Sequence, residues 1–293
     1  MDIKSYLSEK KSLVEAHMCK SIGDKDIPET LRRAMQYSLD AGGKRIRPVL
    51  VMAGAEAVGG DAQSVLPVAV AMEMIHTFSL IHDDLPAMDD DSLRRGQPTN
   101  HKIFGEANAI LAGDGLLAEA FYVMARGLKR FAPELVVEVI GDIASATGAR
   151  GMTGGQVIDI ESTGRNVSEN KLDELHMMKT GALLRASVTS GAKLSGASNE
   201  HVALFDRYGM NIGLAFQIAD DILDIEGDQA LLGKNIGSDE DNQKSTYPLV
   251  LGMEKSKRRA ASLIDEAVSL LAPFGNGAEP LALIARYIIE RNK

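Results

Sequence analysis

Ala69-Val70-Ala71-Met72-Glu73-Met74-Ile75-His76-Thr77-Phe78 is apolar on almost every side of a helical wheel, and that decides the fold class. A helix with one wet face carries an apolar stripe, whereas one that is apolar all round must be surrounded by other helices. Outward from this stretch, apolar residues recur at spacings of three and four, and no alternating strand pattern of useful length interrupts them. Helices are predicted over about 2–20, 28–40, 47–58, 64–84, 106–127, 133–150, 170–195, 199–226, 246–271 and 277–291, which makes the chain an all-α bundle of ten or more helices. The Gly- and polar-rich stretch from about Gly227 to Ser245 is the longest irregular segment, and it suits a lid or a plain surface loop equally. At 293 residues the chain is at the upper end for one hydrophobic core, so one large domain or two small ones are possible, though nothing divides it.

The central helix runs into Asp83-Asp84-Leu85-Pro86-Ala87-Met88-Asp89, and about half the chain later stands Asp220-Asp221-Ile222-Leu223-Asp224. Asp220 and Asp224 are i,i+4, so on a helix their carboxylates share one face about 5–6 Å apart. Pro86 breaks the first helix near Leu85, so no ideal wheel places Asp89. Carboxylates in an apolar setting need positive charge to stay ionised, and an oxygen-only set suits Mg²⁺ sharing its shell with phosphates. Cations lie close by in Gly42-Gly43-Lys44-Arg45-Ile46-Arg47-Pro48 and in Arg94-Arg95-Gly96. The first of these is a Gly-rich turn leading into a helix start, a plausible anion cradle.

Together these motifs resemble the trans-isoprenyl diphosphate synthases, most closely the bacterial farnesyl diphosphate synthases. The resemblance also covers Ser79-Leu80-Ile81-His82, Lys179-Thr180-Gly181, Phe216-Gln217-Ile218-Ala219, Lys244-Ser245-Thr246-Tyr247-Pro248 and the stretch from Tyr287 to Lys293. It implies an isoprenoid synthase fold with helices around a central cavity, residues 1–293 forming a single prenyl diphosphate synthase domain, and a homodimer. It implies two or three Mg²⁺ ions held by Asp83, Asp84, Asp89, Asp220, Asp221 and Asp224. Arg94, Lys179 and Lys234 resemble the cations that bind the allylic diphosphate, with Thr180 and Gln217 beside them and Lys244 in the substrate set. Lys44, Arg47, His76 and Arg95 correspond to the isopentenyl diphosphate site, over which Arg291 and Lys293 are expected to close, and Gly43 belongs to the substrate set. The implied substrates are isopentenyl, dimethylallyl and geranyl diphosphate, with Asp83, Asp84, Asp89, Arg94, Lys179, Asp220 and Lys234 serving catalysis.

Product length is expected to rest on Phe78, five residues before Asp83, with Ser79 beside it. An ideal wheel puts Ser79 closer to the Asp83 stripe, so the choice of Phe78 comes from the resemblance, in which an aromatic here accompanies C15 products. Geranylgeranyl diphosphate synthesis and a non-catalytic regulatory subunit are the alternatives, but the latter would lack part of the metal or cation set. A class I terpene cyclase would replace the second cluster with an Asn-x-x-x-Ser-x-x-x-Glu motif. A di-iron bundle would need two Glu-x-x-His motifs, and only Glu73-Met74-Ile75-His76 occurs. The run from Asp89 has Arg94 and Asn100 where a calcium loop needs Gly and Glu.

A net charge of −9 without a long basic stripe argues against nucleic-acid binding and means that an anionic substrate needs local cations and metal. Cys19 is the only cysteine, which excludes an internal disulfide and fits a reducing compartment. The amino terminus has no signal-peptide core, and no window approaches the ~20 apolar residues of a membrane span, so a cytoplasmic location is expected.

Overall fold

The computed structural model describes residues 1–23, 26–226 and 244–290. In chain order the helices are α1 (Ile3–Ser21), α2 (Glu29–Asp40), α3 (Ile46–Ala57), α4 (Leu66–Asp83), α5 (Asn100–Phe104), α6 (Glu106–Gly127), α7 (Pro133–Thr147) and α8 (Met152–Ser162). They continue with α9 (Glu169–His176), α10 (Ala182–Leu194), α11 (Asn199–Glu226), α12 (Tyr247–Leu251), α13 (Met253–Ser269) and α14 (Glu279–Glu290). The bundle of ten or more helices is therefore present. Its only sheet among the described residues is a two-residue hairpin, β1 (Leu93–Arg94) against β2 (Gln97–Pro98).

α4 is enclosed as its sequence requires, packing between α3 and α6, with Ala69, Val70, Ala71, Met72, Met74 and Ile75 all buried. With the short 3₁₀ turn before it, the segment Ala62–Asp83 is in fact long and apolar enough to cross a bilayer, at 22 residues and a mean hydropathy of 1.6. That corrects the sequence expectation, but 72% of its apolar window is buried by neighbouring helices, as befits a core helix. α10 packs on α3 and α11, and α11 on α13, so the two helices that carry the aspartate clusters face a common interior.

α6 and α11 span the predicted residues. Three differences have local causes. The predicted helix 170–195 is continuous but contains a π-turn at Met177–Gly181, whose apolar spacing does not differ visibly from that of an α-helix. The predicted helix 246–271 breaks at Gly252, at φ 82°, into α12 and α13. α8 was not foreseen, because Gly148, Gly151, Gly154 and Gly155 depress helix propensity. Gly155 is there for contact, since the backbone of Lys179 lies where its Cβ would be.

Candidate active site

The chain beyond α4 folds back instead of running on. After Pro86, the Asp89 N–H donates to the carbonyl of Asp83 at 2.9 Å and the Asp90 N–H to that of Leu85 at 3.1 Å. This turn returns Asp89 to the end of α4. Asp84 is buried and taken up by the hairpin: Arg94 donates Nε to its Oδ1 at 2.9 Å, bonds the same oxygen through Nη2, and reaches Asp91 at 3.0 Å. Burial raises the Asp84 carboxyl above its ordinary range against the opposing pull of Arg94. Asp83 stays on the cavity, where burial above all, reinforced by Asp89 and Asp84 and opposed by Lys179 and Arg94, pushes it up to about 6.

α11 brings the second cluster across from the first. Asp83 and Asp220 line one cavity of about 620 Å³, together with Arg47, His76, Phe78, Ser79, Gln156, Lys179, Thr180 and Gln217. Asp221 is buried and tied to protein, accepting from Gln217 Nε2 at 3.1 Å and from the Tyr247 N–H at 2.9 Å. Thr180 donates to Gln217 at 3.2 Å, which links the π-turn to the cluster. Asp224 is buried one turn beyond Asp220. Lys244 reaches Asp89 at 3.5 Å, so the stretch Lys244–Tyr247 touches both clusters.

A second cavity of about 430 Å³ adjoins the first and is lined by Gly43, Lys44, Arg45, Arg47, Glu73, His76, Arg95 and Phe216. Arg47, His76 and Phe216 border both. Gly43, at φ 121°, carries the Arg95 guanidinium over it with no room for a Cβ, and Arg95 donates to the Gly42 carbonyl. Burial lowers Arg47 to about 10, and its buried Nε has no hydrogen-bond partner within the protein. His76 falls well below its ordinary value through burial and the nearby Arg47 and Arg95, so it is a neutral imidazole at physiological pH. Lys44 lies over the ring of Tyr287, 5.8 Å from its centroid, which brings α14 to this cavity.

The Polyprenyl synthetase family model matches residues 28–272. The chain belongs to the polyprenyl synthetase family. A geranylgeranyl diphosphate synthase of Cyanophora paradoxa is 49% identical to this synthetase over 292 residues, 99% of this chain and 97% of that one. A farnesyl diphosphate synthase of Geobacillus stearothermophilus is 44% identical over 293 residues, 100% of this chain and 99% of that one. Among solved structures, a geranyltransferase of Legionella pneumophila superposes with a TM-score of 0.89 at 32% identity, covering 99% of this chain and 97% of the other. An FPP/GFPP synthase of Zymomonas mobilis gives 0.87 at 36% identity, covering 98% of each. The synthetase is a prenyltransferase.

The structure thus gathers Asp83, Asp220, Lys179, Thr180 and Gln217 around one cavity and Gly43, Lys44 and Arg95 around the next, with Arg47 and His76 between them. Lys234, Arg291 and Lys293 lie outside the described residues. What the sequence did not disclose is α8. Its Gln156 lines the aspartate cavity, and its Asp159 accepts from Lys179 Nζ at 2.5 Å. Burial alone would raise Asp159, but Lys179 and Lys244 hold it below the usual carboxylate range. Gln156 and Asp159 are i,i+3, a shared helix face that was the available signal in an otherwise Gly-rich stretch.

Proposed function

We propose that this prenyltransferase condenses isopentenyl diphosphate head-to-tail with dimethylallyl and then geranyl diphosphate, and that its product is farnesyl diphosphate. The observation that carries this is the pair of adjoining cavities, one edged by both aspartate clusters and the other by cations. They suit two diphosphates that must be held apart while their prenyl chains meet.

The carboxylates fit Mg²⁺. They offer only oxygen donors, the set that suits an ion which completes its shell with water and substrate phosphates. Bound there by Asp83, Asp89, Asp220 and Asp224, with Asp84 and Asp221 adjoining, Mg²⁺ would neutralise the leaving diphosphate as a Lewis acid.

The protein's own groups do the rest. Lys179, now paired with Asp159, stands at the same cavity to take the charge that grows on the departing diphosphate. Lys44, Arg47 and Arg95 bind the isopentenyl diphosphate, and neutral His76 hydrogen-bonds it. Ionisation of the allylic C–O bond leaves a carbocation, which the isopentenyl double bond attacks. The proton released from the new chain passes to the departed diphosphate, the nearest anion.

The reading is tested by product analysis by chain length after incubation with Mg²⁺, dimethylallyl diphosphate and isopentenyl diphosphate. A C15 product supports it, and no prenyl product overturns it. A C20 product would favour the second reading, geranylgeranyl diphosphate synthesis, which the Cyanophora relative motivates.

Replacing Lys44 or Arg95 with alanine is expected to raise the KM for isopentenyl diphosphate about tenfold or more, as loss of one charge-assisted contact implies. The allylic KM should move much less, and the reverse pattern in steady-state kinetics would exchange the two sites. Since α14 reaches Lys44, Arg291→Ala and Lys293→Ala are likewise expected to raise the isopentenyl KM severalfold. Unchanged constants in both variants would remove that segment from the site. A homodimer, which the resemblance to the family implies, is part of this reading.

A further inference from the structure

Of the three cations in the Gly-rich turn, the middle one is turned into the protein. Lys44 is exposed and Arg47 keeps a buried Nε without a partner, but Arg45 is 3% exposed with all three guanidinium nitrogens engaged. Its Nη1 donates to Glu73 Oε1 at 2.6 Å, its Nη2 to the Leu39 carbonyl at 2.6 Å, and its Nε to Glu15 Oε1 at 3.3 Å. Glu73 is 2% exposed, stands one helical turn before His76 on α4, and among the described residues is the only acid bordering the cationic cavity.

The backbone bears the mark of this arrangement. Among the described residues the non-glycine positions with positive φ are Arg45 at 51°, Asp90 at 49° and Arg95 at 54°, and all three belong to or directly follow the site motifs. Left-handed backbone at a residue with a Cβ persists where surrounding contacts over-determine it, and such positions cluster at functional sites. At Arg45 those contacts are the buried pair with Glu73 and the bond to the end of α2. The reversal sends the middle cation into the wall while its neighbours at 44 and 47 remain on the cavity.

We infer that Arg45 and Glu73 are positioning residues for isopentenyl diphosphate: their buried ion pair fixes the turn that presents Lys44 and Arg47, and ties it to the helix turn that presents His76. The inference rests on the proposed prenyl transfer. Arg45 does not itself bind the diphosphate, because it is buried with each guanidinium nitrogen already bonded within the protein. Glu73 also places a buried negative charge amid Arg45, Arg47 and Arg95, which helps keep these cations together before the anion arrives.

Steady-state kinetics on Glu73→Gln, Arg45→Gly and the double variant test this. Glu73→Gln keeps the shape and one acceptor oxygen but not the charge, and Arg45→Gly suits the left-handed backbone while removing the guanidinium. Each is expected to raise the KM for isopentenyl diphosphate about tenfold, to leave the allylic KM within about twofold, and the double variant to be little worse than either single, as for residues that act as one unit. A loss confined to melting temperature, or a parallel rise of both KM values, would overturn the positioning role. Should Arg45→Gly fail to fold, Glu73→Gln alone decides the question by the same split. The wild-type protein is assayed first. Absence of prenyl product there defeats the reaction assignment, whereas normal product with no split in the variants defeats only this inference.

Discussion

Asp83→Ala and Asp220→Ala are each expected to lower kcat by about a hundredfold or more, since removing charge stabilisation from a developing anion costs at least ~3 kcal/mol. The two residues belong to different clusters yet edge one cavity, so each should be needed although the other remains. The fold should survive. Asp83 is held against its environment, with burial pushing its carboxyl up to about 6, so at neutral pH its charge is a burden on the metal-free protein. Groups kept for function at a cost to stability leave the protein no less stable when removed. Thermal melting of metal-free Asp83→Ala should therefore match or exceed the parent while turnover collapses. Asp83→Asn should resemble Asp83→Ala, because the amide restores shape without charge. A loss of only severalfold in either alanine variant would remove these carboxylates from the metal site.

Phe78→Ala is expected to change the product itself, from the proposed C15 towards C20 or longer. Phe78 is five residues before Asp83, about 7.5 Å back along α4. Its ring lines the aspartate cavity and meets His82 edge-on at 5.1 Å, while His82 lies 3.0 Å from the carbonyl of Ile110 on α6. A prenyl tail that starts at the clusters and extends along α4 reaches this aromatic pair, with Ile110 beside it. Removing the ring opens the way beneath. Product analysis of a folded, active variant decides the matter, and C15 alone would place the length limit on another helix.

The sequence revealed most where one local rule operated. The all-round apolar character of 69–78 required a central helix, and the i,i+4 pair Asp220 and Asp224 required a shared face on α11. It was silent where tertiary contact set the local structure. α8 keeps a glycine at 155 within its helix because that position must admit the backbone of Lys179, a demand that no propensity registers. The roles within Gly43-Lys44-Arg45-Ile46-Arg47 divide according to one positive φ at Arg45, which the string of cations does not show. Nor did the sequence indicate that Asp84 and Asp221 would be engaged by Arg94, Gln217 and the Tyr247 backbone.

The π-turn at Met177–Gly181 makes the run from α9 to α10 a helix whose function depends on its residue count. A π-turn accommodates one residue more than α-helical winding would, and each residue turns a helix by about 100°. Loss of a single residue from this turn could leave an unbroken, fully hydrogen-bonded helix. It would also swing Lys179 and Thr180 against α10, parting them from Asp159 and Gln217. In this segment the length of the chain is a heritable constraint in its own right, separate from the identity of any side chain. Substitutions here can be graded in effect, whereas a one-residue deletion acts as a frame error in space, leaving the helix intact and its donors facing the wrong way.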